Sequence, residues 1–254
     1  MSFFDWIAKI FSEYWRSFLR GTGNTLLMAI IGTVAGFLIG LIIAIIRTVP
    51  VKDGDSGVKK AVLKVVNAIL SVYVEVIRGT PMMVQALIIY YSLFAPLDVA
   101  PMVSAIIIIS VNTGAYMAEI VRGGIISVDK GQFEGAHAIG MSHFKTMFYV
   151  ILPQAIRNIM PSIGNEFVVN IKDSSVLSVI SITELMFAAK QAGGAYAQFV
   201  PSYVMCAVIY FILTFTVTRI LRLLEKKMDG DDSYVVCGSQ TDFKSQINAR
   251  GEGK

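Results

Sequence analysis

Three long stretches of this 254-residue sequence contain no charged side chain: Leu26–Ile46, Val99–Ala118 and Ala195–Thr218. A bilayer core of ~30 Å needs about 20 apolar helical residues to cross it, and each stretch meets that length. Charged residues make up only 16% of the chain, whereas about 25% is usual in a soluble domain. The sequence therefore predicts an all-α protein that is integral to a membrane.

Two further segments are mostly apolar but are interrupted by polar residues. The first, Val58–Phe94, contains charged residues and the Gly79-Thr80-Pro81 triplet. A proline inside a helix removes a hydrogen-bond donor and clashes with the preceding turn, so we interpret this segment as one kinked or broken span. The second, Phe148–Ile171, contains prolines and charges, which favours a place inside a helix bundle over contact with lipid. The prediction is thus five transmembrane spans.

Basic residues in the connections indicate the orientation, because lysine and arginine concentrate on the cytoplasmic side. They are frequent after the first span, between the third and fourth spans, and after the fifth: Arg47, Lys52, Lys59, Lys60 and Lys64; Arg122, Lys130 and Lys145; Arg219, Arg222, Lys226 and Lys227. The other connections, 92–101 and 183–195, contain Lys190 as their single basic residue. We therefore predict a multi-pass protein of the cell (cytoplasmic or inner) membrane, with its N-terminus outside and its C-terminus in the cytoplasm.

The predicted organisation has three regions. Residues 1–20 form an amphipathic N-terminal segment without the features of a cleavable signal peptide, and we expect them to lie along the outer surface. Residues 21–226 contain the membrane domain. Residues 227–254 are polar and lack apolar periodicity at their end, so we expect a disordered cytosolic tail.

Glycines recur every four residues in the first span, at Gly32, Gly36 and Gly40. This spacing places them on one helix face, where a second helix is able to approach closely. The alternative is that they reflect only the high glycine content of membrane helices. We assign them no function beyond packing.

The connection between spans three and four has the pattern of a short helix, a turn and a second helix. Gln132–Ile139 is long enough for two turns, with Phe133, Ala136 and Ile139 on one face. Gly140 is suited to end that helix, and Ser142 is suited to cap the next. An ordinary cytoplasmic loop is the alternative, although a loop needs no apolar face.

These residues resemble a known family. Glu134-Gly135-Ala136, followed by Gly140 and Leu152-Pro153, is similar to the EAA signature of permease subunits of ATP-binding-cassette (ABC) importers of type I. Further motifs resemble the polar amino-acid branch, which includes histidine, glutamine and arginine permeases: Arg78–Gln85, Gly114–Arg122, Lys130–Glu134, Leu152–Arg157, Gly164–Glu166 and Lys172–Ser175. The likeness extends from about residue 21 to residue 226. The chain departs from the family at Gly135, where alanine is usual, and at Ser174, where threonine is usual.

The resemblance implies a fold of five spans with a cytoplasmic coupling helix between spans three and four. It implies that this helix docks on a cytosolic ATPase, and that the coupling residues are Gln132, Glu134, Gly135, Ala136, Gly140 and Pro153. The implied partners are two ABC ATPase subunits that use ATP and magnesium, an extracytoplasmic amino-acid-binding protein, and a second permease subunit, the same or a related chain. Membrane lipids also contact such a protein, and nucleic acid is not an expected partner.

The sequence itself contains no site that would supply energy or catalysis. The phosphate-binding pattern G-x-x-x-x-G-K-[ST] is missing, as are the common hydrolase motifs. Cys206 and Cys237 do not form a C-x-x-C pair, and we expect Cys206 to pack inside span five. His137 and His143 are expected at the ATPase contact rather than at a metal. We therefore predict a transporter subunit that binds no cofactor or metal and is not an enzyme.

Polar groups inside the predicted spans mark the expected translocation path, because charges at this depth are costly and are usually paired or line a wet cavity. An amino-acid zwitterion needs an acceptor for its ammonium group and donors for its carboxylate. The candidates for substrate contact are Gln85, Asn112, Asn165 and Glu166. The candidates for ion pairs that hold the bundle or its gate are Arg78, Glu119, Arg157, Lys172 and Asp173.

Two other function classes remain as alternatives. A self-contained secondary transporter or channel usually has inverted internal repeats and more spans, and we find no convincing repeat in this sequence. A membrane-embedded enzyme would need a catalytic cluster, and none is evident. Uptake driven by an ion gradient would favour the first alternative.

Overall fold

Helices form nearly every element of the computed structural model, which describes residues 2–51, 54 and 56–229. In chain order they are α1 (Phe3–Arg47), α2 (Gly57–Gly79), α3 (Met82–Ile89), α4 (Pro101–Ser127), α5 (Lys130–Ala138), α6 (His143–Thr146), α7 (Leu152–Asp173), α8 (Leu185–Tyr196) and α9 (Phe199–Asp229). Short π-helical segments, Tyr90–Phe94 and Met147–Ile151, follow α3 and α6, and a 3-10 helix, Ser174–Ile180, follows α7. The prediction of an all-α protein is confirmed for these residues.

Three of the described helices are long and apolar enough to cross a membrane: α1, α4 and the part of α9 up to Lys227. α1 contains the whole of the first uncharged stretch, and α4 and α9 contain all but the first residues of the other two. The segments predicted as spans two and four contain the shorter or more polar helices α2, α3 and α7. Five spans in total therefore stays a prediction.

The predicted break in the second span is confirmed. α2 ends at Gly79, Thr80 is extended with φ −122° and ψ 148°, and Pro81 precedes the first residue of α3. A proline disfavours helical geometry in the residue before it, which explains why the chain leaves the helix at Thr80.

The fifth span begins later than predicted. α8 ends at Tyr196, Ala197 adopts left-handed backbone with φ 53°, and α9 begins at Phe199. The predicted start at Ala195 was wrong because an uncharged stretch does not reveal a helix end. Pro201 in the first turn of α9 is the local signal, since proline is tolerated in that turn but breaks a helix interior.

α1 is a single helix, so the N-terminal segment and the first predicted span belong to the same element. Ile10 and Phe18 are buried in a cluster with Leu185 of α8 and Met205 of α9. The segment is therefore not a separate helix, and α8 and α9 cover part of its apolar surface, whereas Phe4, Phe11 and Leu19 are exposed. Its place along the outer surface stays a prediction. Cys206 is buried in the same cluster, as expected.

The glycine face of α1 packs against α4. A Cβ at Gly36 would lie 2.7 Å from Cβ of Thr113, and a Cβ at Gly40 would lie 2.6 Å from the backbone nitrogen of Ala118. Contacts this short leave no room for a side chain, so the packing interpretation is confirmed. The close approach makes α1 and α4 the centre of the bundle, and α7 packs against both.

α4 and α9 continue beyond the predicted span ends at Ala118 and Thr218. α9 also includes the first three residues of the predicted tail, 227–229. The rest of the tail, with Cys237, lies outside the described residues.

Candidate coupling surface and translocation path

The coupling segment folds as a short helix, a tight turn and a second helix. α5 begins two residues before the predicted Gln132, because the Asp129 carboxylate accepts a hydrogen bond of 2.6 Å from the Gly131 N–H. At its other end Gly140 is left-handed, with φ 81°. The N–H groups of Gly140 and Met141 donate to the carbonyls of His137 and Ala136, at 2.9 and 3.0 Å, which is the Schellman arrangement.

The second helix of this segment starts at the predicted cap. The Ser142 hydroxyl accepts a hydrogen bond of 3.4 Å from the Lys145 N–H. α6 then runs through a π-helical segment into α7. The turn is therefore fixed at both ends by backbone and side-chain hydrogen bonds, and the alternative of an ordinary loop is wrong.

The inner face of α5 contacts the membrane bundle. Ala136 is buried, and Phe133 packs against a cluster formed by Val121 and Ile125 of α4 together with residues of the π-helical segment and α7. Ile139 was predicted on the same face, but 79% of it is exposed. Ile139 comes directly after the last residue of α5, where the backbone leaves the helix. Its side chain therefore does not lie on the buried face with Phe133 and Ala136.

The outer face of α5 is open. The exposed residues include the predicted coupling residues Gln132, Glu134, Gly135, Gly140 and Pro153, and also His137. Large apolar side chains are exposed nearby in sequence, among them Ile139, Phe144 and Tyr149. The rings of Phe144 and Phe148 pack with their centroids 4.4 Å apart. Exposed apolar side chains beside polar ones are typical of a protein interaction surface.

An ion-pair cluster joins the end of α1 to α4. Glu119 accepts hydrogen bonds from Arg47 at 2.5 Å and from Arg122 at 2.8 Å. Among the described residues, the other predicted bundle charges form no ion pair within 4 Å: Arg78, Arg157, Lys172 and Asp173. The Arg78 guanidinium instead lies 5.5 Å from the centre of the Tyr116 ring.

Two of the predicted substrate residues are buried at the break between α2 and α3. The Gln85 amide NH₂ donates to the carbonyls of Ile77 and Thr80, at 2.8 and 3.0 Å, and its oxygen accepts from Asn112 of α4 at 2.9 Å. These contacts satisfy the backbone carbonyls that the broken helix leaves free. The geometry thus favours a structural role for Gln85 and Asn112, which differs from the prediction.

The other two predicted substrate residues lie together on α7. Asn165 is exposed and Glu166 is partly buried. Arg78 lies close enough to interact electrostatically with Glu166, as does Asp173. Lys172 is exposed on the same helix. Opposite charges of α2 and α7 therefore face one another beside Tyr116.

Sequence reasoning missed a buried polar triad in the centre of the bundle. The Asn170 side chain of α7 donates to the Thr33 hydroxyl of α1 at 2.8 Å and accepts from the Thr113 hydroxyl of α4 at 2.9 Å. Uncharged polar residues inside apolar runs were the available signal, because they need partners in a membrane. The triad ties the three central helices to one another.

Glu184 was also missed. It is fully buried, and its carboxylate accepts hydrogen bonds of 2.7 Å from the N–H groups of Met186 and Phe187 and of 2.9 Å from the Tyr210 hydroxyl. Burial raises the pKa of this carboxyl, while the two backbone N–H groups act in the opposite direction. A lone glutamate just before a helical pattern is the sequence signal for such a cap.

The bundle and its coupling segment match a known family. The sequence model for "Binding-protein-dependent transport system inner membrane component" matches residues 60–230. The chain belongs to this family. Within the described residues no group of three histidine, cysteine, aspartate or glutamate side chains is placed to hold a metal ion.

Relatives and solved structures agree with this assignment. The glutamine transport system permease protein GlnP of Escherichia coli K12 is 35% identical over 231 residues, which are 89% of this chain and 98% of that protein. The L-cystine transport system permease protein TcyB of Bacillus subtilis is 37% identical, over 85% of this chain and 88% of that protein. A crystal structure of an amino acid ABC transporter with histidines superposes with a TM-score of 0.75 at 35% identity, covering 89% of this chain and 99% of that one.

Family membership decides between the function classes. The chain is the membrane-spanning permease subunit of an ABC importer, and it is neither a channel nor a secondary transporter. Such a subunit is not catalytic, and it works with an ATPase and a substrate-binding protein.

Proposed function

We propose that this chain forms half of a pore through which ATP hydrolysis by a separate subunit drives the import of a polar amino acid. The observation that supports the substrate class is the match over most of the chain to permeases named for glutamine, cystine and arginine. The solved structure of an amino acid ABC transporter with histidines agrees with it. The proposed topology has five spans, with the N-terminus outside and the coupling helix and C-terminus in the cytoplasm.

The outer face of α5 is the proposed docking surface for the ATPase. Glu134, Gly135 and His137 are exposed there, and the apolar side chains of Ile139 and Phe144 extend the surface. Gln132, Gly140 and Pro153 also belong to it. ATP and magnesium would act on the ATPase, two copies of which would serve a pore of two permease subunits.

The inner face of α5 supports the mechanical part of the proposal. Phe133 packs against a buried cluster that includes residues of α1, α4 and α7, and Ala136 is buried beside it in α5. Because well-packed interiors transmit displacement rather than absorb it, a shift of α5 would move the ends of these three helices together. Such motion would bias the bundle between two states, inward-facing and outward-facing.

The proposed path runs along the face that carries Asn165, Glu166, Arg78 and Tyr116. This face offers both an acceptor for an ammonium group and a donor for a carboxylate, as a zwitterion requires. Arg78 and Asn165 are exposed in the single chain, which supports a second permease subunit beside this face. The extracytoplasmic binding protein would deliver the amino acid to this path.

Reconstitution tests the proposed function. In proteoliposomes we expect the permease alone to hydrolyse no ATP and to take up no amino acid under a sodium or proton gradient. With its ATPase and binding protein we expect ATP-dependent uptake of glutamine, cystine, arginine or histidine. Gradient-driven uptake by the chain alone would contradict the proposal, and ATP-dependent uptake of a different solute class would contradict its substrate.

A further inference from the structure

A groove of about 310 Å³ lies between α7 and α9, away from the coupling segment. Its lining residues are Val168 and Lys172 of α7 and Phe211, Thr214, Phe215, Thr218, Arg219 and Arg222 of α9. Along α9 the lining covers about three turns, or ~16 Å. The groove is thus elongated along the helix axis.

The two ends of the groove differ in character. Phe211 and Phe215 form an apolar wall, with 66% and 49% of their surfaces exposed. Arg219 and Arg222 lie one and two turns further toward the end of α9. The Arg219 guanidinium is 4.9 Å from the centre of the Phe215 ring, which holds one cation at the junction of the two parts.

The lining of the groove is basic. Its lining includes three basic side chains and no acidic one. Within the described part of the chain, none of Lys172, Arg219 and Arg222 takes part in an ion pair within 4 Å. Clustered cations without a carboxylate favour an anionic ligand, and arginine in particular suits a phosphate.

We propose that this groove binds an anionic phospholipid, with its phosphate at Arg219 and Arg222 and an acyl chain along Phe211 and Phe215. Basic pockets between membrane helices bind anionic lipid headgroups in this way. In the proposed orientation the lipid belongs to the cytoplasmic leaflet. A zwitterionic amino acid fits less well, because the lining has no carboxylate to pair with its ammonium group.

A fluorescence measurement on the permease assembled with its ATPase in lipid nanodiscs tests this site. Phe211→Trp places a reporter in the groove, and the same protein without that substitution gives the background of Trp6 and Trp15. Brominated phosphatidylglycerol and brominated phosphatidylcholine are compared as quenchers. We expect quenching at position 211 to favour phosphatidylglycerol by at least fivefold.

The charge variants provide the matched comparison. A contact of about 1 kcal/mol per basic residue corresponds to about fivefold in binding, so the Arg219→Gln and Arg222→Gln double variant should lose most of the selectivity. Arg219→Lys with Arg222→Lys should keep it. Lys226→Gln with Lys227→Gln makes the same charge change on the same helix outside the groove, and should keep it too.

Several results would overturn the proposal. One is equal quenching by the two lipids, and another is an equal loss of selectivity in both glutamine double variants. Relief of quenching by dissolved glutamine or arginine would assign the groove to the cargo, and relief by glycerol phosphate would assign it to a soluble anion. The quenching measurement does not depend on transport. A negative result in it is therefore distinguishable from a negative result in the uptake assay that tests the proposed function.

Discussion

α4 and α9 are both apolar helices of membrane length, yet they have opposite environments. In the most apolar eighteen-residue window of each, 61% of α4 is buried within the chain, against 11% of α9. α4 lies against the glycine face of α1 and the polar face of α7, and its small residues allow close contact. α9 presents large apolar residues such as Val208 and Ile212 to its surroundings. Hydropathy alone therefore does not separate a central helix from a peripheral one.

The difference has a consequence for assembly. An exposed face as apolar as that of α9 requires lipid or another protein around it. Lipid gives little packing specificity, whereas a protein partner is sensitive to single substitutions. Substitutions matched between the two helices therefore show which environment α9 has.

The largest expected difference is between two isoleucine truncations. Ile109→Ala in α4 removes a side chain that is fully buried, so the cavity and lost contacts should lower the free energy of unfolding by about 2–5 kcal/mol. In α9, 55% of Ile212 is exposed. Ile212→Ala should therefore lower the free energy of unfolding by less than about 0.5 kcal/mol. Thermal unfolding of the purified chain in detergent measures both. A cost at Ile212 equal to that at Ile109 would contradict a peripheral α9.

Glycine substitutions test how closely α4 and α9 pack against their neighbouring helices. A Cβ at Gly40 meets the backbone of α4, which is unable to yield locally, so Gly40→Ala should destabilise by about 1–3 kcal/mol. A Cβ at Gly164 of α7 lies 3.2 Å from the end of the flexible Leu221 side chain of α9, so Gly164→Ala should cost less. Unfolding midpoints of the two variants provide the measurement, and the reverse order would contradict the tighter packing of α4.

Two asparagines of α7, one in the polar triad and one outside it, are expected to affect different properties, stability and transport. Asn170→Leu leaves the Thr113 hydroxyl without its acceptor, which should cost about 1 kcal/mol of stability in a membrane bundle. Asn165→Leu on the exposed face of the same helix should leave the unfolding midpoint unchanged and reduce ATP-dependent uptake. Thermal unfolding and uptake, measured on both variants, test this split. If Asn165→Leu transports normally, Asn165 does not belong to the path.

The smallest expected effect is in α5, the helix that follows α4. No atom outside the helix backbone lies within 4 Å of a Cβ placed at Gly135, so Gly135→Ala should stabilise α5 by up to about 1 kcal/mol without a clash. Slower amide hydrogen exchange in α5, with uptake retained, is the expected result. Faster exchange would show that the glycine has a local role that its surroundings do not reveal.

Sequence reasoning located most of the architecture because its signals are local. Uncharged runs identified the long helices, Pro81 identified the break, and Gly140 with Ser142 identified the turn of the coupling segment. The end of α8 at Tyr196 was missed, since no charge or glycine marks it. The roles of Gln85 and Asn112 were assigned from polarity, whereas they depend on which backbone carbonyls and side chains lie beside them after folding.

Disulfide cross-linking tests whether α5 receives the motion of an ATPase. In a complex whose Cys206 and Cys237 are replaced by serine, a single cysteine is introduced at His137 on the outer face of α5, or at Gln191, which is exposed on α8. We predict cross-links from position 137 to cysteines placed on the ATPase, in yields that change with ATP, and none from position 191. Cross-links from position 191 alone would contradict both the docking surface and the proposed orientation.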